Sequence, residues 1–441
     1  MPRATPLLLA LLLAPATLAQ VGSYQVEGVA GVDSYRGQAM VSRRPDGELR
    51  LLVWRSDGTR SRGTLVPEAA SVAPAVSAWR YEAPLAGTGG LAGAVAGEPL
   101  PERALQARWL RVGTHLFGAW RVVEGERVVA SGRETLRPRQ AWNAPRGRLR
   151  LAISVDWEGR DLRAENLAAM AALREALPGV PLTHFLNAAY YTKPGADAAR
   201  ITSQIAGAVL PGDEAGLHVH GWRSLFAAAG VAFRERPSFW GEGWPLQPSA
   251  NDLGHEVEIG AYEVDELRAV LRLSRERLGA AGFPIGASFR AGGWMATPPV
   301  LEAIRAEGFL VDSSATDSKW HDELQGMALH ARIPEVWPGV TERSQPFAIE
   351  TPAGRVLEMP DTGALADYVT AAEMVAHLRA AAERLAADPG RDLFVHIGFH
   401  QETAARYAPR VTEAVRTLAA ERELPLVIET LAESAAAAAR E

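Results

Sequence analysis

The sequence contains no cysteine. This absence excludes disulfides, cysteine-based zinc sites and cysteine nucleophiles, so any bound metal must be held by histidine, aspartate or glutamate. An excess of basic residues is also missing, because 46 Lys and Arg residues face 52 Asp and Glu residues and the formal net charge is −6. Proteins that coat nucleic acid or anionic membranes are normally basic. The composition therefore gives no indication of a nucleic-acid partner.

Long hydrophobic runs are scarce as well. The run at residues 7–13 is much shorter than the ~20 residues that span a bilayer. It follows one arginine and leads to small residues at Thr17 and Ala19, a pattern typical of a secretory signal peptide at residues 1–19. We expect an exported protein, in a bacterial periplasm or outside the cell, with no integral membrane association. The sequence does not indicate an oligomeric state.

A length of 441 residues predicts two domains. Within residues 20–145, short alternating runs at 38–42, 49–54 and 119–123 are separated by turns rich in Gly, Asp and Glu. They predict a small all-β domain, a sandwich or barrel, of no evident role. Its tryptophans are more typical of a core than of a sugar-binding platform; they are Trp54, Trp79, Trp109 and Trp120.

Residues 146–441 show a different pattern, in which strands alternate with helices. A linker is predicted at residues 138–148, and a capping box at Thr370–Glu373 opens one of the later helices. Repeated βα units predict an α/β domain with a parallel sheet or barrel and with its chemistry at the carboxyl ends of the strands. The predicted strands are 149–155, 182–186, 393–399 and 426–428, and the predicted helices include 161–177, 264–278 and one that begins after Thr297.

Two motifs in this region carry candidate metal and base residues. Asp156 and Glu158 are two residues apart where a strand ends, so their carboxylates point to the same side. One carboxylate of such a pair can bind a metal while the other acts as a base. His218 and His220 have the same spacing in an extended segment and can chelate one ion.

Two further motifs carry candidates for orientation and proton transfer. Arg290 precedes a glycine-rich turn that ends at Trp294, where it could orient a carboxylate or simply close a surface turn. His396 and His400 share one strand face. His400, at the carboxyl end, suits a general acid. His396 lies further back and is expected to be packed in the interior.

In this order, the four motifs resemble those of the polysaccharide deacetylase family, the NodB-homology domain of carbohydrate esterase family 4. The resemblance covers about residues 149–430 and implies a distorted (β/α) barrel behind the N-terminal all-β domain. It implies Asp156 as base, Arg290 as its ion-pair partner and His400 as general acid. Glu158 and His218 match metal ligands. Most members place the second metal histidine where Trp222 stands here, so whether His220 binds metal or substrate stays open.

The resemblance also implies an activity. It is the metal-dependent removal of N-acetyl or O-acetyl groups from a polysaccharide or amino-sugar glycan, with Zn²⁺ as the expected ion. Candidates to contact this substrate are Trp157, Trp222 and Trp294 within the motifs, which could equally form the pocket wall, and His255 in a long insertion. His255 is also a candidate for a third metal histidine.

Two other functions fit the same residues. The shifted second histidine is compatible with a catalytically inactive carbohydrate-binding protein on the same fold. A barrel hydrolase could also cleave a different non-peptide carbon–nitrogen or ester bond. Metal binding separates the deacetylase from the inactive protein, and acetate release separates it from the other hydrolase.

Overall fold

The computed structural model describes residues 22–30, 33–43, 48–56, 60–67, 78–84, 103–112, 115–138, 147–421 and 424–440. The predicted signal peptide lies outside these ranges, and so do residues 139–146 of the predicted linker. None of the described helices is both long and apolar enough to cross a membrane.

The first region is a closed barrel of eight antiparallel strands, in which each strand pairs with the next and the last pairs with the first. The predicted all-β domain is confirmed, and a barrel replaces the sandwich alternative. The strands are β1 Gly22–Ala30, β2 Asp33–Arg43, β3 Leu49–Arg55, β4 Arg60–Pro67, β5 Ala78–Pro84, β6 Arg103–Val112, β7 His115–Glu124 and β8 Arg127–Pro138.

Alternation along the strands separates the inside of this barrel from its outer face. Leu49, Leu51 and Val53 of β3 are buried in its core. Trp109 belongs to the same core, with 2% of its surface exposed, while Trp120 packs against the core and is only partly buried. The side chains of Trp54 and Trp79 lie outside the description. The predicted core role is therefore confirmed for Trp109.

The second region is a curled, mostly parallel sheet flanked by helices, as the βα pattern predicts. Its order is β14-β15-β13-β12-β11-β10-β9-β16, with β17 also paired to β9 and with β14 antiparallel to β15. The strands are β9 Leu149–Asp156, β10 Thr183–Leu186, β11 Glu214–Val219, β12 Ser288–Ala291, β13 Val311–Asp312, β14 Phe347–Thr351, β15 Gly354–Glu358, β16 Leu393–His400 and β17 Leu426–Ile428.

Helices connect these strands and cover the sheet. The capping box predicted at Thr370 is present, because its hydroxyl accepts from the N–H of Glu373 while the Glu373 carboxylate accepts from the N–H of Thr370. The helices are α1 Ala164–Ala176, α2 Ala198–Ala206, α3 Arg223–Ala228, α4 Val264–Ala280, α5 Pro298–Ala306, α6 Ala328–Val336, α7 Ala371–Ala387, α8 Ala404–Ala419 and α9 Leu431–Ala438.

One predicted boundary is wrong by three residues. The pattern places the start of the first helix at Asp161, but α1 begins at Ala164. The reason is tertiary, since the N–H groups of Glu158 and Arg160 both donate to the carboxylate of Glu402, at 3.1 Å each. These bonds hold the chain after β9 in a turn, and the helix starts only beyond it.

Strand register places the motifs beside one another. Asp156 at the end of β9 is paired with His400 at the end of β16, and His218 of β11 is paired with Arg290 of β12. Because parallel strands end at the same edge of the sheet, the four motifs meet there.

Candidate metal centre

Three buried side chains come together at this edge, and each offers a metal-binding atom. They are Glu158, His218 and His220, whose donor atoms all lie within 4.8 Å of one another. The Nε2 atoms of the two histidines are 3.1 Å apart. The Glu158 carboxylate places Oε1 at 3.2 Å from His218 Nε2 and Oε2 at 3.0 Å from His220 Nε2.

Hydrogen bonds on the far side of each imidazole fix which nitrogen carries the proton. His218 Nδ1 lies 2.9 Å from the carbonyl oxygen of Arg290, and His220 Nδ1 lies 2.7 Å from that of His255. A carbonyl can only accept, so both Nδ1 atoms donate. In the neutral rings, both Nε2 lone pairs therefore face each other and the carboxylate of Glu158.

Such an arrangement of three acceptors fits a cation. Lone pairs at this separation repel unless a proton or a metal ion lies between them. A tetrahedral zinc ion with bonds of about 2.0–2.1 Å to nitrogen and oxygen holds its ligand atoms about 3.3–3.4 Å apart. The spacing of 3.0–3.2 Å is close to this value. Carbonyl partners behind metal-binding histidines are also the usual second layer of such sites.

His255 completes the surroundings of Glu158. Its ring stacks on His220, with centroids 4.2 Å apart, and its Nε2 contacts Glu158 Oε2. Burial, followed by the neighbouring His220, lowers the pKa of His255 to about 3. The ring is therefore neutral. The structure thus places His255 against Glu158 and His220, two of the three candidate metal ligands.

Asp156 lies beside this group and is held by Arg290. Arg290 Nη1 donates to both carboxylate oxygens of Asp156, at 2.9 and 3.1 Å, and to Ser154 Oγ at 2.8 Å. Its Nε and Nη2 donate to the carbonyl and hydroxyl of Ser313, at 2.7 and 2.8 Å. The guanidinium is 1% exposed. It is a fixed, buried cation, and the alternative of a surface arginine is excluded.

His396 is buried behind Arg290, as predicted for an interior histidine. Its Nδ1 donates to Asp361 at 2.7 Å, and its Nε2 lies 2.9 Å from Ser154 Oγ and 3.3 Å from Arg290 Nη2. Asp361 therefore orients His396, which contacts Arg290, the residue that holds Asp156. The sequence analysis missed Asp361.

His400 stands opposite the metal group. Its Nδ1 lies 3.1 Å from Asp367, whose other oxygen accepts from the backbone N–H of His400 at 3.2 Å. Its Nε2 points towards Glu158, 3.6 Å from Oε1. Burial alone would lower the pKa of His400, but Asp367 and Glu158 outweigh it and raise the pKa to about 10. Asp367 thus orients the ring so that Nε2 faces the cavity, and Asp367 is a second residue that the sequence analysis missed.

Glu402 and Trp222 support the main chain of Glu158. Glu402 accepts from the N–H of Glu158 and from the hydroxyl of Tyr190. Trp222 Nε1 donates to the carbonyl of Glu158 at 2.8 Å. The sequence analysis gave Glu402 no role. Its position two residues after His400 is the signal that could have indicated one.

The catalytic candidates surround one cavity of about 70 Å³, whose other walls come from Phe239, Trp240, Ala291, Gly293, Trp294, Leu324, Leu329 and Tyr368. Asp156, Glu158, His218, His220, His255, Arg290 and His400 all line it. Trp294 therefore lies where the sequence analysis placed a substrate contact.

Trp157 and Trp222 have a different location. Both rings are 0% exposed, and neither lines the cavity. Trp157 Nε1 donates to His184 Nδ1 at 3.1 Å, on the side of the strand away from Asp156 and Glu158. Neither ring is accessible for stacking on a sugar, so their predicted substrate contact is replaced by a supporting role.

No protein-family model matches the sequence, and no curated protein matches it. Solved structures do resemble it. Several of them carry the name polysaccharide deacetylase. A Mycobacterium smegmatis protein assigned as a polysaccharide deacetylase has 14% identity and a TM-score of 0.41, covering 68% of this chain and 93% of its own.

Two other structures give similar values. Puue allantoinase has 14% identity and a TM-score of 0.38, over 67% of this chain and 93% of its own. A family 4 carbohydrate esterase from Streptomyces lividans, solved with acetate, has 10% identity and a TM-score of 0.30, over 64% and 92%. These likenesses concern the arrangement of strands and helices and say nothing about activity or substrate.

Proposed function

We propose that the protein is an exported, metal-dependent hydrolase that removes N-acetyl or O-acetyl groups from a glycan. The observation that carries the proposal is the convergence, around one small cavity, of three metal-binding atoms, an anchored carboxylate and an anchored imidazole. The donor set of two histidines and one carboxylate is typical of catalytic zinc, so we propose Zn²⁺ held by Glu158, His218 and His220. When bound, this ion would activate water and polarise a carbonyl.

The side chains divide the remaining work. Asp156 accepts the proton of the attacking water, and Arg290 holds its carboxylate in place. His400 lies across the cavity and donates its Nε2 proton to the departing amine or alkoxide. Asp367 keeps the Nδ1 proton of His400 in place, so that Nε2 alone delivers. The aromatic and leucine walls exclude water and leave room for a group as small as acetyl.

His400→Gln is expected to slow acetate release from an N-acetylated sugar by roughly two to four orders of magnitude, the usual contribution of a general acid. The same variant should hydrolyse p-nitrophenyl acetate at nearly the wild-type rate, because nitrophenolate leaves without being protonated. Steady-state kinetics on both substrates measure this difference.

His330→Gln, a change of a partly buried histidine on α6 outside the cavity lining, serves as the matched control. Equal losses of His400→Gln on both substrates would instead assign His400 a structural role.

The test of the proposed activity is acetate release by the mature protein from N-acetylated chitohexaose, peptidoglycan and O-acetylated xylan. We expect release from at least one of them, lost after chelation and restored by zinc. A metal-loaded protein that releases acetate from none, yet binds one of the glycans, would support the non-hydrolytic alternative. Recovery of the protein from the periplasm or medium, beginning near residue 20, tests the proposed export.

A further inference from the structure

A second, larger cavity lies between the two regions of the protein. It has a volume of about 910 Å³ and shares no lining residue with the catalytic cavity. One wall is the outer surface of β6, β7 and β8, and the other is formed by the ends of α1 and α2 and the segments that follow them. A volume near the upper end of the usual 300–1,000 Å³ range for ligand sites accommodates several sugar rings.

The two regions are in direct contact at this cavity, which fixes its walls. A Cβ atom built on Gly179 would lie 2.4 Å from the backbone of Gly118 in β7. A Cβ atom on Gly212 would lie 2.1 Å from Arg133 Nε of β8. At Gly179 the contact is with backbone, so a larger residue would push the two regions apart beside the cavity.

The cavity is locally basic although the protein is acidic overall. Four arginines line it against two carboxylates, Glu175 and Asp213, while the whole chain has a net charge of −6. Arg174 and Asp213 form a buried ion pair that largely neutralises both. The remaining arginines are Arg108, Arg121 and Arg133, all on the barrel wall.

These three arginines form a regular array on the strands. Ala119 of β7 is paired with Arg108 of β6 on one side and with Arg133 of β8 on the other. The backbones of the two arginines are therefore about 10 Å apart, with only the small side chain of Ala119 between them. Arg121 lies two residues beyond Ala119 on the same face. Arg121 is paired with Ser131 of the neighbouring strand β8, and Ser131 is exposed and lines the cavity.

The ion pairs that Arg133 makes with Glu433 and Arg108 makes with Glu175 are long. Arg133 Nη2 is 4.0 Å from Glu433, and Arg133 Nε is buried with no hydrogen-bond partner among the described residues. Arg108 is 3.9 Å from Glu175, whose side chain is 82% exposed, and exposed pairs of this kind contribute little. Arg121 Nε donates to the neutral amide of Gln106 at 2.9 Å.

We propose that this cleft binds an acidic oligosaccharide, a chain that carries carboxylates on successive sugars, through Arg108, Arg121 and Arg133. Arginine forms paired, charge-assisted bonds to carboxylates, and Ser131 and Gln106 supply hydrogen-bonding groups for hydroxyls. Val66, Pro178 and Pro211 offer apolar surface to the faces of the rings. The choice of a glycan as ligand rests on the proposed function, whereas the carboxylate preference rests on the arginines.

Calorimetric titration of the His218→Ala protein tests the proposal, because binding in the cleft needs no metal. The probe is a hexamer of galacturonic acid without acetyl groups, compared with a neutral hexamer of glucose. We expect binding of the acidic hexamer only, weakened about tenfold or more by Arg121→Ala with Arg133→Ala. Ser131→Glu, an exposed change that adds a carboxylate to the array, should have the same effect.

The matched control is Arg127→Ala with Arg355→Ala, which removes the same charge at two exposed positions outside the cleft. An equal loss in this control would reduce the binding to general electrostatics and overturn the proposal. No binding of the acidic hexamer, or tighter binding of an oligonucleotide of equal charge, would also overturn it. Absence of deacetylase activity in the wild type would leave these titrations unaffected.

Discussion

Asp156→Asn is expected to lower acetate release by about 10³-fold or more, towards the upper end of the usual contribution of a general base. Asparagine keeps the shape of the side chain and still accepts a hydrogen bond from Arg290, but it cannot take a proton from water. Metal content should remain near that of the wild type, because Asp156 is not one of the three candidate metal ligands. Kinetics and elemental analysis of the same preparations measure both effects.

Two controls accompany this variant. Asp265→Asn changes a carboxylate on α4 that is 90% exposed and should leave the rate unchanged. Thermal unfolding reports whether the buried Arg290, deprived of its counter-charge, destabilises the fold. Turnover within tenfold of the wild type in a folded Asp156→Asn protein would remove Asp156 from the role of base.

His218→Ala is expected to remove the metal itself. The wild type should purify with, or take up after soaking, about one zinc ion per chain, and the variant should hold close to none. His218 supplies one of the two imidazole donors of the three-residue group, and a carboxylate with one histidine binds zinc poorly. Elemental analysis after dialysis measures the difference, and His330→Ala is the matched histidine control.

The outcome also decides between two of the functions considered. If the wild type takes up no metal at any zinc concentration that leaves it folded, the three converging acceptors do not form a metal site. The protein would then be better described as an inactive glycan-binding relative. Metal uptake by wild type and His218→Ala alike would place the ion elsewhere.

Much of the site was predictable because strand periodicity is local. The spacing of Asp156 with Glu158, and of His218 with His220, predicted that each pair faces the same way, and both pairs line the cavity. The same alternation predicts that Trp157, between two cavity residues, faces the opposite side. The structure places it there, so its assignment to the substrate neglected a signal already in the sequence.

The remaining residues could not be found in this way. Asp361 and Asp367 lie in the loop after β15, where no periodicity indicates direction, and their roles depend on His396 and His400 of a later strand. No local pattern shows that the indole of Trp222 supports Glu158, and only the fold reveals it. Long-range pairings of this kind are set by tertiary structure.

The central position of β9 has a consequence for how the protein is made. β9 pairs with β10, β16 and β17, and the turn after it is anchored by Glu402, 244 residues further along the chain. During synthesis, Glu158, His218 and His220 emerge well before His400, which β16 brings near the end of the chain. Contacts this distant form slowly, since a long loop must close first. The two sides of the cavity therefore come together only when β16 is inserted beside β9.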